Sequence, residues 1–327
     1  MRLPYLLSAL TVLMLPSIAR AQGCSDAGVC TAGPIGQITS STDSSVVEEP
    51  RHHARLQFSY AVGEQGVIIL QAQPELSMGL TSRLSVQVKI PYVSAKGDLG
   101  SNGGVGDVIL TMSQAFIKER ERDLTGVLGL RLPTGSTAPV RIEKATFSPT
   151  SHPLPMPYQT GLGTTDLLLG VQFRIRLLTL TGAYQHVLHH DNQNVFQHEF
   201  WIDVPEAVDY FESFALERAD DAVLRLQYAL PIKRLTVQPG VLAIYHVGQD
   251  ISLRNTVPGV YNGQPLMRES VKGSDGLTLN LTVDARFKLS DRWDVEGTLG
   301  APVITRDIRP DGLTRRFVAS VGLRVGF

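Results

Sequence analysis

The chain has 327 residues and is close to neutral, with 30 Lys+Arg against 31 Asp+Glu. That balance offers no basic field for nucleic acid, and no nucleic-acid partner is expected. Hydrophobic residues reach 43% and charged residues only 19%, a light charge load that suits a chain with one face in lipid.

The first 21 residues read as a signal peptide. Arg2 precedes an apolar run from Leu6 to Leu15, and Ala19-Arg20-Ala21 fits the small-x-small cleavage rule. The run is too short to span a membrane as a helix, and no other stretch approaches ~20 apolar residues. The protein is therefore expected to be exported. Residues 22–53 are rich in Gly, Ser, Thr and Asp and are expected to form a flexible periplasmic segment. Cys24 and Cys30 lie within it. In an oxidising compartment a disulfide between them is the favoured reading. Lipidation of Cys24 is the alternative, although Ala21-Gln22-Gly23 lacks the leucine usual before a lipidated cysteine. Two such cysteines are not a metal site by themselves, and no metal or cofactor is expected.

From residue 54 the sequence is a succession of alternating runs, with no convincing helical periodicity. Twelve strands are predicted. The first covers Arg55 to Val62, with Leu56, Phe58 and Tyr60 on one face. The second runs about 66–79, the third 83–92, the fourth about 105–117 and the fifth about 123–133. The sixth, about 163–175, sets Leu167, Leu169, Val171 and Phe173 against Asp166, Gln172 and Arg174. The seventh, eighth and ninth are about 177–188, 221–231 and 234–247. The tenth alternates most clearly, Leu277 to Leu289 on one face and Thr278 to Lys288 on the other. The eleventh is about 292–305. In the last, Phe317, Ala319, Val321, Leu323, Val325 and Phe327 share one face. Successive side chains of a strand point to opposite faces.

Loop lengths choose between a soluble sandwich and a membrane barrel. Short connections near residues 80–82, 118–122, 176, 231–233 and 290–291 alternate with long ones near 94–104, 134–162, 189–220, 248–274 and 306–312. The first hairpin, 63–66, is short but falls on the long-loop side. This is the pattern of a transmembrane barrel, with short periplasmic turns and long extracellular loops. Outward aromatics near strand ends fit its two girdles: Tyr92, Tyr184 and Tyr245 outside, Phe173, Tyr228, Phe287, Trp293 and Phe327 inside. The expected fold is an all-β, antiparallel up-and-down barrel of about twelve strands over 54–327, in the bacterial outer membrane. Phe327 is the expected assembly signal, read by the barrel-assembly machinery, and outer-membrane lipid is the expected surround.

The opposite phase collects Arg55, Lys89, Asp107, Arg131, Asp166, Arg174, Arg225, Asp284, Arg286, Asp294, Glu296 and Arg324, the candidate lumen-lining set. They could pair across the interior and stiffen it, or line a narrow aqueous path. Closure of the last strand on the first places Arg324 near Asp294, Glu296 or Arg55.

Gly103-Gly104-Val105-Gly106-Asp107 enters the fourth strand, Leu130 to Gly135 ends the fifth, and Gly161 to Gly170 opens the sixth. With Pro91 closing the third, these stretches resemble the signature of the outer-membrane barrels named after the meta-cleavage pathway of phenol degradation. The resemblance spans most of 54–327. It implies a barrel that passes small molecules, aromatic or apolar ones among them. The aromatic expected after the fourth-strand aspartate appears only as Phe116, and the acidic, aromatic loop 189–220 has no match. By themselves, the glycines permit tight backbone geometry at the outer rim. Asp107 is then either a solvated corner residue or part of a constriction.

Enzymatic readings find little support. His198-Glu199 lacks the second histidine of a zinc-protease motif, since Ile202 stands there. His186, His189 and His190 read as surface histidines. No strand carries a His-x-Ser pair for a barrel phospholipase, and His190-Asp191 is the only protease-like pair. The expected function is a channel for passive uptake of small solutes, and no enzyme. A non-transporting barrel acting as adhesin, receptor or structural protein through its outer loops is the alternative, and an exported soluble β-protein the weaker third.

Overall fold

The computed structural model describes residues 52–143, 150–255, 266–312 and 315–327. The expected signal peptide and the Cys24 and Cys30 readings lie outside the described residues. Twelve antiparallel strands close into a barrel. They are β1 (His52–Gly63), β2 (Ile68–Gly79), β3 (Leu84–Lys89, resuming as Tyr92–Gly97), β4 (Gly100–Val105, resuming as Val108–Lys118), β5 (Arg122–Leu132) and β6 (Thr164–Ile175). There follow β7 (Leu178–His190), β8 (Asp221–Tyr228, extended by Leu230–Ile232), β9 (Leu235–His246), β10 (Gly276–Lys288), β11 (Trp293–Ile304) and β12 (Arg315–Gly326). Each pairs with its sequence neighbours, and β12 pairs back onto β1 from His53 opposite Gly326 to Gly63 opposite Arg315. A closed sheet pairs its backbone groups strand to strand, as lipid demands.

Alternation decides which face meets lipid. Along β1, Leu56, Phe58 and Tyr60 are exposed while Arg55 is buried. Along β10, Leu281, Val283 and Phe287 point out and Thr282, Asp284 and Arg286 point in. Apolar-out, polar-in is the arrangement of an outer-membrane barrel, and the chain is one.

Two wall strands are interrupted at the same level. Pro91 has no N–H to give and breaks β3, and Gly106-Asp107 breaks β4 beside it, with Gly106 N donating to Pro91 O at 2.7 Å. Beyond the breaks the two strands continue as a hairpin from Tyr92 paired with Val105 to Gly97 paired with Gly100. The long connection expected over 94–104 is thus mostly strand, turning tightly at Asp98-Leu99. Its residues carry no outward apolar series, so periodicity did not register them.

The outer loops are folded. Residues 153–164 are buried without a break. Leu154 and Tyr158 pack with Phe196, Trp201 and Tyr210 of the 191–220 loop and with Leu99, Val67 and Val318 at the strand ends. Trp201 Nε1 donates to Pro153 O at 2.8 Å, and Gln65 Nε2 to Asp209 O at 2.9 Å. Leu99 N donates to the Tyr158 hydroxyl, which lies 3.3 Å from that of Tyr210. Burial pushes both phenols above their ordinary range, so they stay neutral in the cap.

At the other end Phe327 N donates to His52 O at 2.9 Å, and the two rings stack 5.9 Å apart. The Phe327 side chain is 61% exposed, facing outward. Deleting Phe327 is expected to lower the amount of folded barrel in the outer membrane, read by fractionation and heat-modifiable gel migration. Normal levels would count against an assembly role.

Candidate functional site

The interior is built by the inward residues of all twelve strands. Its lower part carries a row of ions across the seam where the sheet closes. Register sets Lys89 on β3 opposite Glu75 on β2, Glu75 opposite Arg55 on β1, Arg55 opposite Arg324 on β12, and Arg324 opposite Asp294 on β11. Arg55 reaches Glu75 at 2.9 Å and Glu296 at 3.0 Å. Lys89 lies 3.4 Å from Glu75, Arg286 3.0 Å from Glu296, and Arg324 3.3 Å from Asp294. Arg225 crosses from β8 to Asp284 on β10 at 2.7 Å, where Gln227 and Thr298 also donate. Near the periplasmic mouth Arg174 bonds Asp123. Charges removed from water persist when each meets an opposite partner and further donors.

Glu75 is the group that strand reading left out. It takes Arg55, Lys89 and a 2.6 Å bond from Gln87 Nε2. It lies in phase with Gln71, Gln73 and Ser77 on β2, and that alternation could have found it despite Pro74 beside it.

Among the polar groups of the interior lies one apolar band. On β4 through β9 the inward series includes Ile109, Leu168, Ala183, Val223, Leu242 and Ile244, which form one apolar cluster. Their neighbours Leu110, Leu169, Leu224 and Tyr245 point to lipid. An aliphatic stripe inside a barrel is unusual, because the interior face of these proteins is mostly polar.

Asp107 stands where the aliphatic stripe, the ionic groups and the cap meet. It is buried, not solvated. Its Oδ1 accepts from Gly135 N at 3.1 Å and its Oδ2 from Leu162 N at 2.8 Å, with Arg131 Nε 4.0 Å away. Arg131 bonds Asp166, which also accepts from Gln185 Nε2 at 2.7 Å. Around it Thr134 Oγ1 donates to Gly106 O, and Thr160 Oγ1 to Val105 O. The glycines are dictated by space. A side chain at Gly161 would collide with the Asp107 carboxylate, one at Gly106 would meet Thr160 O at 2.8 Å, and one at Gly135 would strike the Gly161 backbone. Gly163 has φ +69°, which favours glycine. The stretches around Gly106, Gly135 and Gly161, far apart in sequence, thus converge on one carboxylate that fastens the folded-in segment. Beneath it lies a chamber lined by Gln71, Gln73, Ile109, Arg131, Gln159 and Leu162, with Met156 and Pro157 above.

A second buried cluster ties the other loops. His246 Nδ1 faces Asp221 at 2.7 Å and Nε2 faces Asp250 at 2.8 Å. Arg218 bonds Asp221 and reaches Asp311 at 3.2 Å, and Arg306 reaches Asp311 at 2.8 Å. Burial alone would raise the Asp311 carboxyl, but Arg306 and Arg218 hold it well below the usual carboxylate range. Sequence reading passed over this group because its members lie on three separate segments. Of the histidines it did single out, His186 contacts Asp220 at 2.8 Å on the exposed rim. Among the described residues no group of three or more His, Cys, Asp or Glu is placed to hold a metal.

No family model matches the chain, and no curated protein matches it by sequence. Solved structures match by fold. An outer membrane channel from Pseudomonas putida F1 aligns at 15% identity with a TM-score of 0.56, covering 89% of this chain and all of that one. The translocator domain of the autotransporter NalP from Neisseria meningitidis aligns at 10% identity and TM-score 0.48, over 88% of this chain and 91% of that one. The KdgM porin aligns at 9% and 0.40, over 84% and 99%.

Removing the Asp107 carboxylate strands two backbone donors. Asp107→Ala is therefore expected to lower the unfolding free energy by about 1.5–3 kcal/mol, read by urea titration in lipid vesicles. Gly161→Ala should leave the barrel folded and speed proteolysis within 150–162. An unchanged cleavage rate would show that the segment does not depend on this contact.

Proposed function

We propose that the protein is an outer-membrane channel for passive uptake of small molecules, aromatic or apolar ones among them. The same reading makes it a relative of the barrels named after the meta-cleavage pathway of phenol degradation. The observation that carries it is the mixed interior, in which an aliphatic band across β4 to β9 is set among hydrogen-bonding and ion-paired groups. Such a path can hold an apolar ring against the aliphatic band while adjacent polar side chains solvate its polar groups. The convergence of the three glycine stretches on Asp107 supports the family reading, because they are the stretches that carried the resemblance. Arg55, Lys89, Asp107, Arg131, Asp166, Arg174, Arg225, Asp284, Arg286, Asp294, Glu296 and Arg324 line the path in this reading, joined by Glu75. The folded-in segment is its outer gate. No catalytic step is assigned to the barrel.

The packed outer cap favours one further reading, a barrel that does not transport and acts through its loops. Permeability separates the two. The purified barrel in planar bilayers or swelling liposomes is expected to pass small solutes, and removal of residues 137–160 should raise the rate several-fold. A folded barrel that passes nothing, before and after that deletion, would sink the channel reading.

A further inference from the structure

The five short periplasmic turns share a charge. Segments 80–83, 118–122, 176–177, 233–234 and 289–292 together hold eight Lys or Arg against three carboxylates. Arg83, Lys118, Arg120, Lys233, Arg234 and Arg292 are exposed. Glu119 pairs with Arg122 at 2.6 Å and Glu121 with Arg176 at 3.4 Å. Every turn contributes at least one cation, so the excess encircles the barrel instead of forming a run on one segment. The far end has the opposite sign. Residues 191–220 hold eight carboxylates and a single arginine, Arg218, which is buried against Asp221 and Asp311.

A solvated run of charge needs no ligand, and depth is what distinguishes this one. Just inside the turns, outward aromatics ring the wall: Phe173, Tyr228, Phe287, Trp293 and Phe327. Such rings sit at the membrane–water interface. The turns below them therefore lie at the level of lipid headgroups, within reach of long, flexible cationic stems. A cation held near an anionic lipid surface contributes roughly fivefold in affinity.

We propose that the periplasmic turns form a cationic collar that binds the phosphate headgroups of anionic phospholipids in the inner leaflet of the outer membrane. The collar fixes the depth and tilt of the barrel and does not depend on whether the interior conducts.

The test uses the full-length folded barrel and its variant R83Q/R120Q/K233Q/R234Q/R292Q, whose changed side chains are all exposed in turns. Lipid retention is read by native mass spectrometry with phosphatidylglycerol and phosphatidylethanolamine supplied equally. The wild type is expected to retain phosphatidylglycerol ~10-fold over phosphatidylethanolamine, with the preference fading as salt approaches ~0.5 M. The variant should lose the preference. Equal retention of the two lipids, or a preference untouched by salt, overturns the proposal even if the variant does not fold. An undiminished preference in a folded variant overturns it too. So does tighter binding of soluble poly-L-glutamate than of phosphatidylglycerol micelles, which would point to an acidic polypeptide.

Discussion

Backbone hydrogen bonding in a medium without water constrains everything else in this protein. A strand that meets lipid can leave no N–H or C=O unpaired, so the sheet has to close on itself. Closure brings Arg55 to Arg324 and sets the phase of both strands. Once that phase is set, the outward series must be apolar and the inward series is free to hold ions. One ion pair of the interior, Arg55 with Glu296, is a product of closure and holds the seam from within.

The fold was legible because barrel strands obey a period of two over nearly their whole length. β10 shows it best: from Leu277 to Phe287 apolar and polar residues alternate, and their burial alternates with them. Loop lengths added what periodicity could not, the difference between lipid and a packed core. The inward set was legible for the same reason, down to Arg324 opposite Arg55. Glu75 escaped because Pro74 beside it disturbs the look of a strand, although Pro74 keeps its place opposite Leu56. What could not be read was the cap. Residues 153–162 have no regular period, and their burial comes from partners on other segments, such as Trp201 and Tyr210. Nor could the role of Asp107 be read, since the donors it accepts are backbone groups that carry no sequence mark.

The glycine stretches show how one requirement scatters across a chain. At Gly106, Gly135 and Gly161 a side chain is excluded by a neighbour from another segment. None of the three is explained by its own local conformation. Asp107 supplies the attraction that the close approach makes room for. A single inward carboxylate therefore accounts for residues spread over three strands and a loop, and it lets an irregular segment sit inside a barrel with its backbone polar groups satisfied.

Arg55 is held by a carboxylate from each side of the seam. Glu75 stands on the adjacent strand, but Glu296 is 241 residues further along the chain. The first bond can form as soon as the opening hairpin exists. The second needs the last strands to have come round to the first. The pair with Glu296 is accordingly the mark of a closed circle: it joins two ends of the sheet that meet only when β12 lies against β1.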